Sequence, residues 1–273
     1  MEGKKKLSQL LDIFDVFLLK EKPKGEQWHD SYKKDRKAFD ILVKSDLKLE
    51  KLIYKVFKKY AQSVEHFFVY GSIGLSDEDL KTANRSIFDL AAPIWLEFKK
   101  DLFSVFEEII SGVLNMGGKA TEKESGVYIG WTSKSRPAVD WIREHGAELV
   151  TNISEVTRDR LRSELAIGLG LGESQEELTA RLTEVINDPF RASIIARTEV
   201  VKAYNQGKIL AVEESGFDSV KTWRDGQEGA CPVCSELDGV TVKLNEKFPH
   251  ELDSPPAHPS CRCGMSIKPK TNT

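Results

Sequence analysis

All four cysteines of the 273-residue chain lie in its last forty-odd residues, as Cys231-Pro232-Val233-Cys234 and Cys261-Arg262-Cys263, with His258 three residues ahead of the second pair. Thiolate sulfur and imidazole nitrogen are the donors that suit zinc, and Cys-x-x-Cys and His-x-x-Cys are chelating spacings. Pro232 stiffens the first turn and is expected to keep it out of a helix, with both sulfurs on one side. Cys261 and Cys263 share a face if that segment is extended. Five donors are thus available for a four-coordinate ion. The spacing favours Cys231, Cys234, Cys261 and Cys263, with His258 either replacing one thiolate or standing outside the ligand sphere. The same thiols could instead be free and buried, or oxidise after release from the cell.

A filled four-ligand site holds a fold together, whereas catalysis needs an open position. A zinc deaminase would carry His-x-Glu upstream of Pro-Cys-x-x-Cys. Here the order is Cys-Pro-x-Cys and no His-x-Glu precedes it. A metal-dependent nuclease acting on DNA is the alternative. It rests on His250 and His258 beside Glu251 and Asp253, and lacks room for a ligand-bearing helix, because only ten residues follow Cys263 and Pro269 is among them. No catalytic residue is therefore assigned.

The elements that must position these donors are mainly helical. Leu7, Leu10, Leu11, Phe14 and Leu18 recur at helical spacing, and Asp12 and Asp15 interrupt what would otherwise resemble a signal peptide. From Ser31 to Tyr70, apolar residues from Phe39 to Tyr60 keep a three-to-four spacing with lysines between them. GSIGLS at 71–76 breaks the pattern, and Ser76 with Asp79 fits a capping box. Pro93 kinks or restarts the next helix, which Gly117-Gly118 are expected to stop. A loop or hinge follows, with one short strand at Val127–Trp131. Pro137 opens a short helix that Gly146 ends, and another runs from Ala147 to Ile167. Ser174 and Glu177 fit a second capping box. Asn187-Asp188-Pro189 leads into a helix that reaches Gly216.

Beyond Gly216 the pattern alternates, with short strands at Lys221–Arg224 and Gly239–Leu244 and turn signals at Asp-Gly pairs. So small a segment needs a staple or a neighbour to bury a core. The reading is a mainly α protein with a small α+β C-terminal part. It divides into a helical N-terminal region (1–116), a loop or hinge (117–136), a helical core (137–216) and a Cys/His-rich β module (217–273).

Forty per cent apolar and thirty per cent charged residues describe an ordinary globular protein, with a net charge of −3. The charge is uneven: residues 1–60 hold 16 Lys+Arg against 10 Asp+Glu. Such a basic front could meet nucleic acid or an acidic protein surface, or be a solvated helix face. No apolar run is long enough to span a membrane. A reducing cytosol is the expected site of synthesis, where paired cysteines favour metal over disulfide.

The helix leading into the module, RASIIARTEVVKAYNQGK, is unusual. Arg197 and Glu199 lie two apart, do not face each other, and are expected to pair with other elements. Ala196, Ala203 and Gly207 would admit a neighbouring backbone, and Trp223 would anchor this helix to the module.

IARTEVVKAYNQG, the following Trp223, CPVCSELDG and PPAHPSCRC, in that order, resemble the phage Mu F-like head-morphogenesis family of minor head proteins. The resemblance covers roughly Ile153 to Cys263. Arg197, Thr198, Glu199, Asn205, Gly207 and Trp223 fit its pattern, as do Cys231, Cys234, Pro255, Pro256, His258, Cys261, Arg262 and Cys263. It implies a non-enzymatic virion protein at the portal inside the capsid, active in the host cytoplasm during assembly. Its implied partners are the portal protein, scaffold or major capsid protein, and double-stranded DNA. A structural zinc ion is the expected cofactor.

Overall fold

A computed structural model describes residues 36–70, 93–225 and 230–270. The expected helix at Leu7–Leu18, the GSIGLS break and the Ser76–Asp79 box lie outside them. The described chain is mainly helical, with four long helices and one short one followed by a small sheet: α1 (Arg36–Tyr70), α2 (Pro93–Ser125), α3 (Arg136–Leu171), the short α4 (Gln175–Ile186) and α5 (Pro189–Ser215). Then come β1 (Ser219–Arg224), the one-and-a-half-turn helix α6 (Pro232–Leu237), β2 (Thr241–Lys243) and β3 (Gly264–Pro269). Among the described residues no helix is long and apolar enough to cross a membrane.

The helices start and stop where local chemistry dictates. Ser135 caps α3, with Pro137 in its first turn, and Gly172 ends it in a left-handed conformation (φ 70°). Ser174 and Glu177 form the reciprocal capping box of α4. Asp188 accepts from the Arg191 amide to open α5, and Gly216 (φ 73°) closes it.

Helices α1–α5 share one apolar core. Leu42, Leu49, Ile53 and Phe57 of α1 meet Trp95, Phe98 and Leu102 of α2, and the cluster continues through Leu161, Leu182, Val200 and Tyr204. Tyr60 and Trp95 both stand edge-on to Phe98, with ring centroids 5.0 and 5.6 Å from it.

Two expected helix stops are not stops. Helix α2 passes through Gly117 and Gly118 and ends at Ser125. The physical reason is close packing. A Cβ on Gly117 would lie 2.0 Å from the Tyr204 carbonyl oxygen, and one on Gly207 would lie 2.0 Å from that of Leu114. The backbones of α2 and α5 therefore touch where each carries a glycine. Gly146 likewise sits inside α3, which is continuous from Arg136 to Leu171, and gives way to the Phe103 ring. The expected strand at Val127–Trp131 does not form. Its amides turn instead onto one carboxylate, as Ile129, Gly130 and Trp131 all donate to Glu122.

The sheet is antiparallel, ordered β2-β1-β3, with Lys221 opposite both Val242 and Ile267. Strand β3 was not foreseen. Met265 and Ile267 point from it onto Ile209 and Val212 of α5, which anchors the sheet to the helical body.

Candidate metal centre

The module's core is built around its sulfurs. Cys231, Cys234, Cys261 and Cys263 are all buried and pack with Trp223, Leu237 and Phe248. Trp223 is fully buried on the inward face of β1, edge-on to Phe248 at 5.2 Å. It thus forms the module's own centre, rather than chiefly joining helix to module as expected.

Pro232 also departs from expectation. It occupies the first turn of α6 rather than excluding a helix, since a residue with no amide hydrogen is tolerated there. Cys231 is the residue that caps this helix, and its sulfur accepts the Cys234 amide at 3.5 Å. The second pair repeats the device, with the Cys263 amide donating to the Cys261 sulfur at 3.5 Å. Amide-to-sulfur bonds of this kind favour thiolates.

All five predicted donors converge. His258 Nε2 lies 3.4 Å from Cys231 Sγ and 3.3 Å from Cys234 Sγ, while Cys234 Sγ is 3.8 Å from Cys261 Sγ. Cys231, Cys234 and His258 form one mutually close group, and Cys234, Cys261 and Cys263 form another. His258 Nδ1 donates to the Pro259 carbonyl at 2.8 Å, which fixes the ring and turns Nε2 to the sulfurs. This cluster could hold a metal ion.

Its electrostatics point the same way. The Cys234 hydrogen bond, aided by His258, draws Cys231 down to about 4. Contacts with Cys234 and Cys263 hold Cys261 well below the usual thiol range. Cys234, which shares hydrogen bonds with Cys231, Cys261 and Cys263, is pushed up instead. Burial lowers His258, but its bonds to Cys231 and Cys261 outweigh this and carry it up to about 10. These directions favour thiolates at Cys231 and Cys261 beside a protonated His258, and thiols at Cys234 and Cys263. A bound cation would replace the shared protons and release them.

Helix α5 holds this module through polar side chains on its own surface. Thr198 Oγ1 accepts the Ser260 amide at 2.9 Å. Asn205 Oδ1 accepts the Met265 amide at 3.2 Å, and Lys208 Nζ donates to the Met265 carbonyl at 2.9 Å. Lys208 also pairs with Glu124 of α2 at 2.6 Å, although it is almost fully buried. Asn205 and Lys208, three apart and so on one helix face, grip both polar groups of a single β3 residue.

Arg197 and Glu199 point elsewhere. Arg197 reaches back to Asp46 of α1 at 2.8 Å, and Glu199 meets His145 of α3 at 2.5 Å. Sequence reasoning gave Thr198 and Lys208 no role and overlooked His145 and Asp46. The available signal was a run of polar side chains on a helix otherwise rich in Ala and Val. His250 stands apart from the sulfurs, at 3.6 Å from Glu236 on the module surface.

The sulfur-rich cluster is thus clamped to a long helix through hydrogen bonds of Thr198, Asn205 and Lys208. The family model described as Phage Mu protein F like protein matches residues 159–266, from the second half of α3 into β3. Over these residues the chain is similar to the phage Mu F-like family, a match that supports the reading as a minor head protein. Comparison with curated proteins and with solved structures found no match.

Proposed function

We propose that this protein is a non-enzymatic minor head protein of a bacteriophage, taking part in head assembly at the portal inside the capsid. The observation that carries the reading is that the family-matched segment contains both the Cys/His cluster and the helix that docks it. The cluster fits a structural zinc ion. Its donors are buried soft sulfurs and one oriented, half-buried imidazole, which is the donor composition of a structural zinc site. Bound zinc would supply cross-linking between α6 and the 258–263 segment, and no chemistry on a substrate. Residues Cys231, Cys234, His258, Cys261 and Cys263 are those that would hold it.

The nuclease alternative requires an imidazole nitrogen directed at solvent or substrate. His258 Nε2 faces sulfur, which favours the structural reading. The portal assignment is tested by co-purification. A portal oligomer of the same phage should retain this protein, and retention should be lost when residues 217–273 are removed or when α1 is disrupted. Absence of any retention by the intact protein would overturn the portal assignment.

A second reading, contact with packaged DNA, is favoured by one surface. Lys44, Lys48, Lys51, Lys55 and Lys58 are all exposed on α1 and follow one another at spacings of four and three. They form a basic ridge of about 21 Å along the helix, opposite the buried stripe of Leu42, Leu49, Ile53 and Phe57. Such a ridge suits a phosphate backbone and carries no base specificity.

A further inference from the structure

Cys234 is common to both close groups of donors. It lies with Cys231 and His258 on one side and with Cys261 and Cys263 on the other, whereas Cys231 shares no group with either later cysteine. A covalent link from α6 to the 261–263 segment, made without large movement, therefore has to start at Cys234. We infer that the module, once stripped of any ion, is a disulfide-forming site in which Cys234 and Cys261 become joined. Their sulfurs are 3.8 Å apart, although the residues stand 27 positions apart in the chain. A disulfide of about 2.05 Å requires them to close by roughly 1.8 Å.

The local pairings, Cys231 with Cys234 and Cys261 with Cys263, would tie no element to another. The Cys234–Cys261 bond would join α6 to the segment leading into β3, doing covalently what an ion does by coordination. It also closes a much longer loop, and so restrains the unfolded chain more. In the bond-forming step each thiol loses its proton and one electron. A peroxide is the oxidant: hydrogen peroxide takes up the two electrons and two protons and leaves as two waters. In a reducing cytosol the thiols stay reduced and open to an ion, whereas a particle outside the cell meets oxidising conditions. That setting rests on the head-protein reading above; the chemistry rests on the four buried, unbonded cysteines alone.

Peptide mapping of the full chain tests this, after chelation, stoichiometric hydrogen peroxide, alkylation and digestion with trypsin. Arg262 lies between Cys261 and Cys263, so cleavage there separates the two. The expected product is a peptide pair linked through Cys234 and Cys261, with Cys231 and Cys263 alkylated. Cys231→Ser should keep the link, and Cys234→Ser should lose it. Two local disulfides with no thiol left to alkylate, a link from Cys234 to Cys263, or no disulfide at all would overturn the inference and leave the head-protein reading untouched. Failure of a portal oligomer to retain the protein would count against that reading and would not alter the peptide map.

Discussion

The hydroxyl of Thr198 accepts the backbone amide of Ser260, joining the middle of α5 to the turn between His258 and Cys261. Ser260 has a left-handed backbone conformation (φ 57°), which few side chains adopt readily. The helix thus helps to hold the turn that presents two of the metal-site donors. Thr198→Val keeps the side-chain shape and removes the acceptor. It should destabilise the module by about 1 kcal/mol and weaken zinc retention against a competing chelator, whereas Thr198→Ser should behave as wild type. Chelator titration of the three proteins checks this.

The glycine contact between α2 and α5 should resist any side chain. In Gly207→Ala the new methyl would meet a backbone oxygen that cannot rotate away. A loss of about 1–3 kcal/mol or more is expected from overpacking. Gly112, with nothing within 4 Å of its hypothetical Cβ, is the control. Gly112→Ala should be neutral or stabilise by up to about 1 kcal/mol, because alanine favours helix. Urea midpoints of the two variants should move in opposite directions or differ clearly in size.

Arg197→Met should cost more than the ion pair itself contributes. It leaves the Asp46 carboxylate buried, and burial already raises the pKa of that group against the pull of Arg197. A penalty of about 3 kcal/mol is expected, since an unpaired buried charge is costly. Asp46→Asn in the same chain should recover part of it. A double-mutant cycle with no coupling between the two positions would contradict this account.

Chelation should affect the two parts of the molecule unequally. The module's small core is made largely of its sulfur ligands, Trp223 and Phe248, whereas α1–α5 share a large apolar core of their own. Removing the ion should abolish protection of the β1–β3 amides while helical circular dichroism stays nearly constant. Hydrogen exchange resolved along the sequence distinguishes this from global unfolding.

For the basic ridge, replacing Lys44, Lys51, Lys55 and Lys58 by glutamine should weaken binding to any duplex DNA sequence alike. The salt dependence should fall by about one unit of slope for each lysine that meets a phosphate. Unchanged affinity would remove α1 from the DNA reading.

Much of this architecture was legible in the chain. Caps such as Ser174 and Glu177, and the proline and glycine ends of α5, obey local rules and appear where those rules put them. Gly117 and Gly146 defeated the same rules. A glycine that ends a helix and one that admits a neighbour look identical until the neighbour is known. The donors could be recognised by type and spacing, but their surroundings could not. The orientation of His258 depends on the Pro259 carbonyl, and the surroundings of Cys263 depend on Trp223, forty residues earlier. Strand β3 was hidden because its pairing with β1 and its contact with α5 are both non-local.

Along residues 258–265 the chain is gripped alternately by two different hands: His258 and Cys261 turn to the sulfur cluster, while Ser260 and Met265 turn to Thr198, Asn205 and Lys208. A single inserted residue anywhere in that stretch would shift one set of grips out of phase with the other. Length variation should therefore be absent from these eight residues, so that the segment behaves as a ruler whose graduations are set by α5.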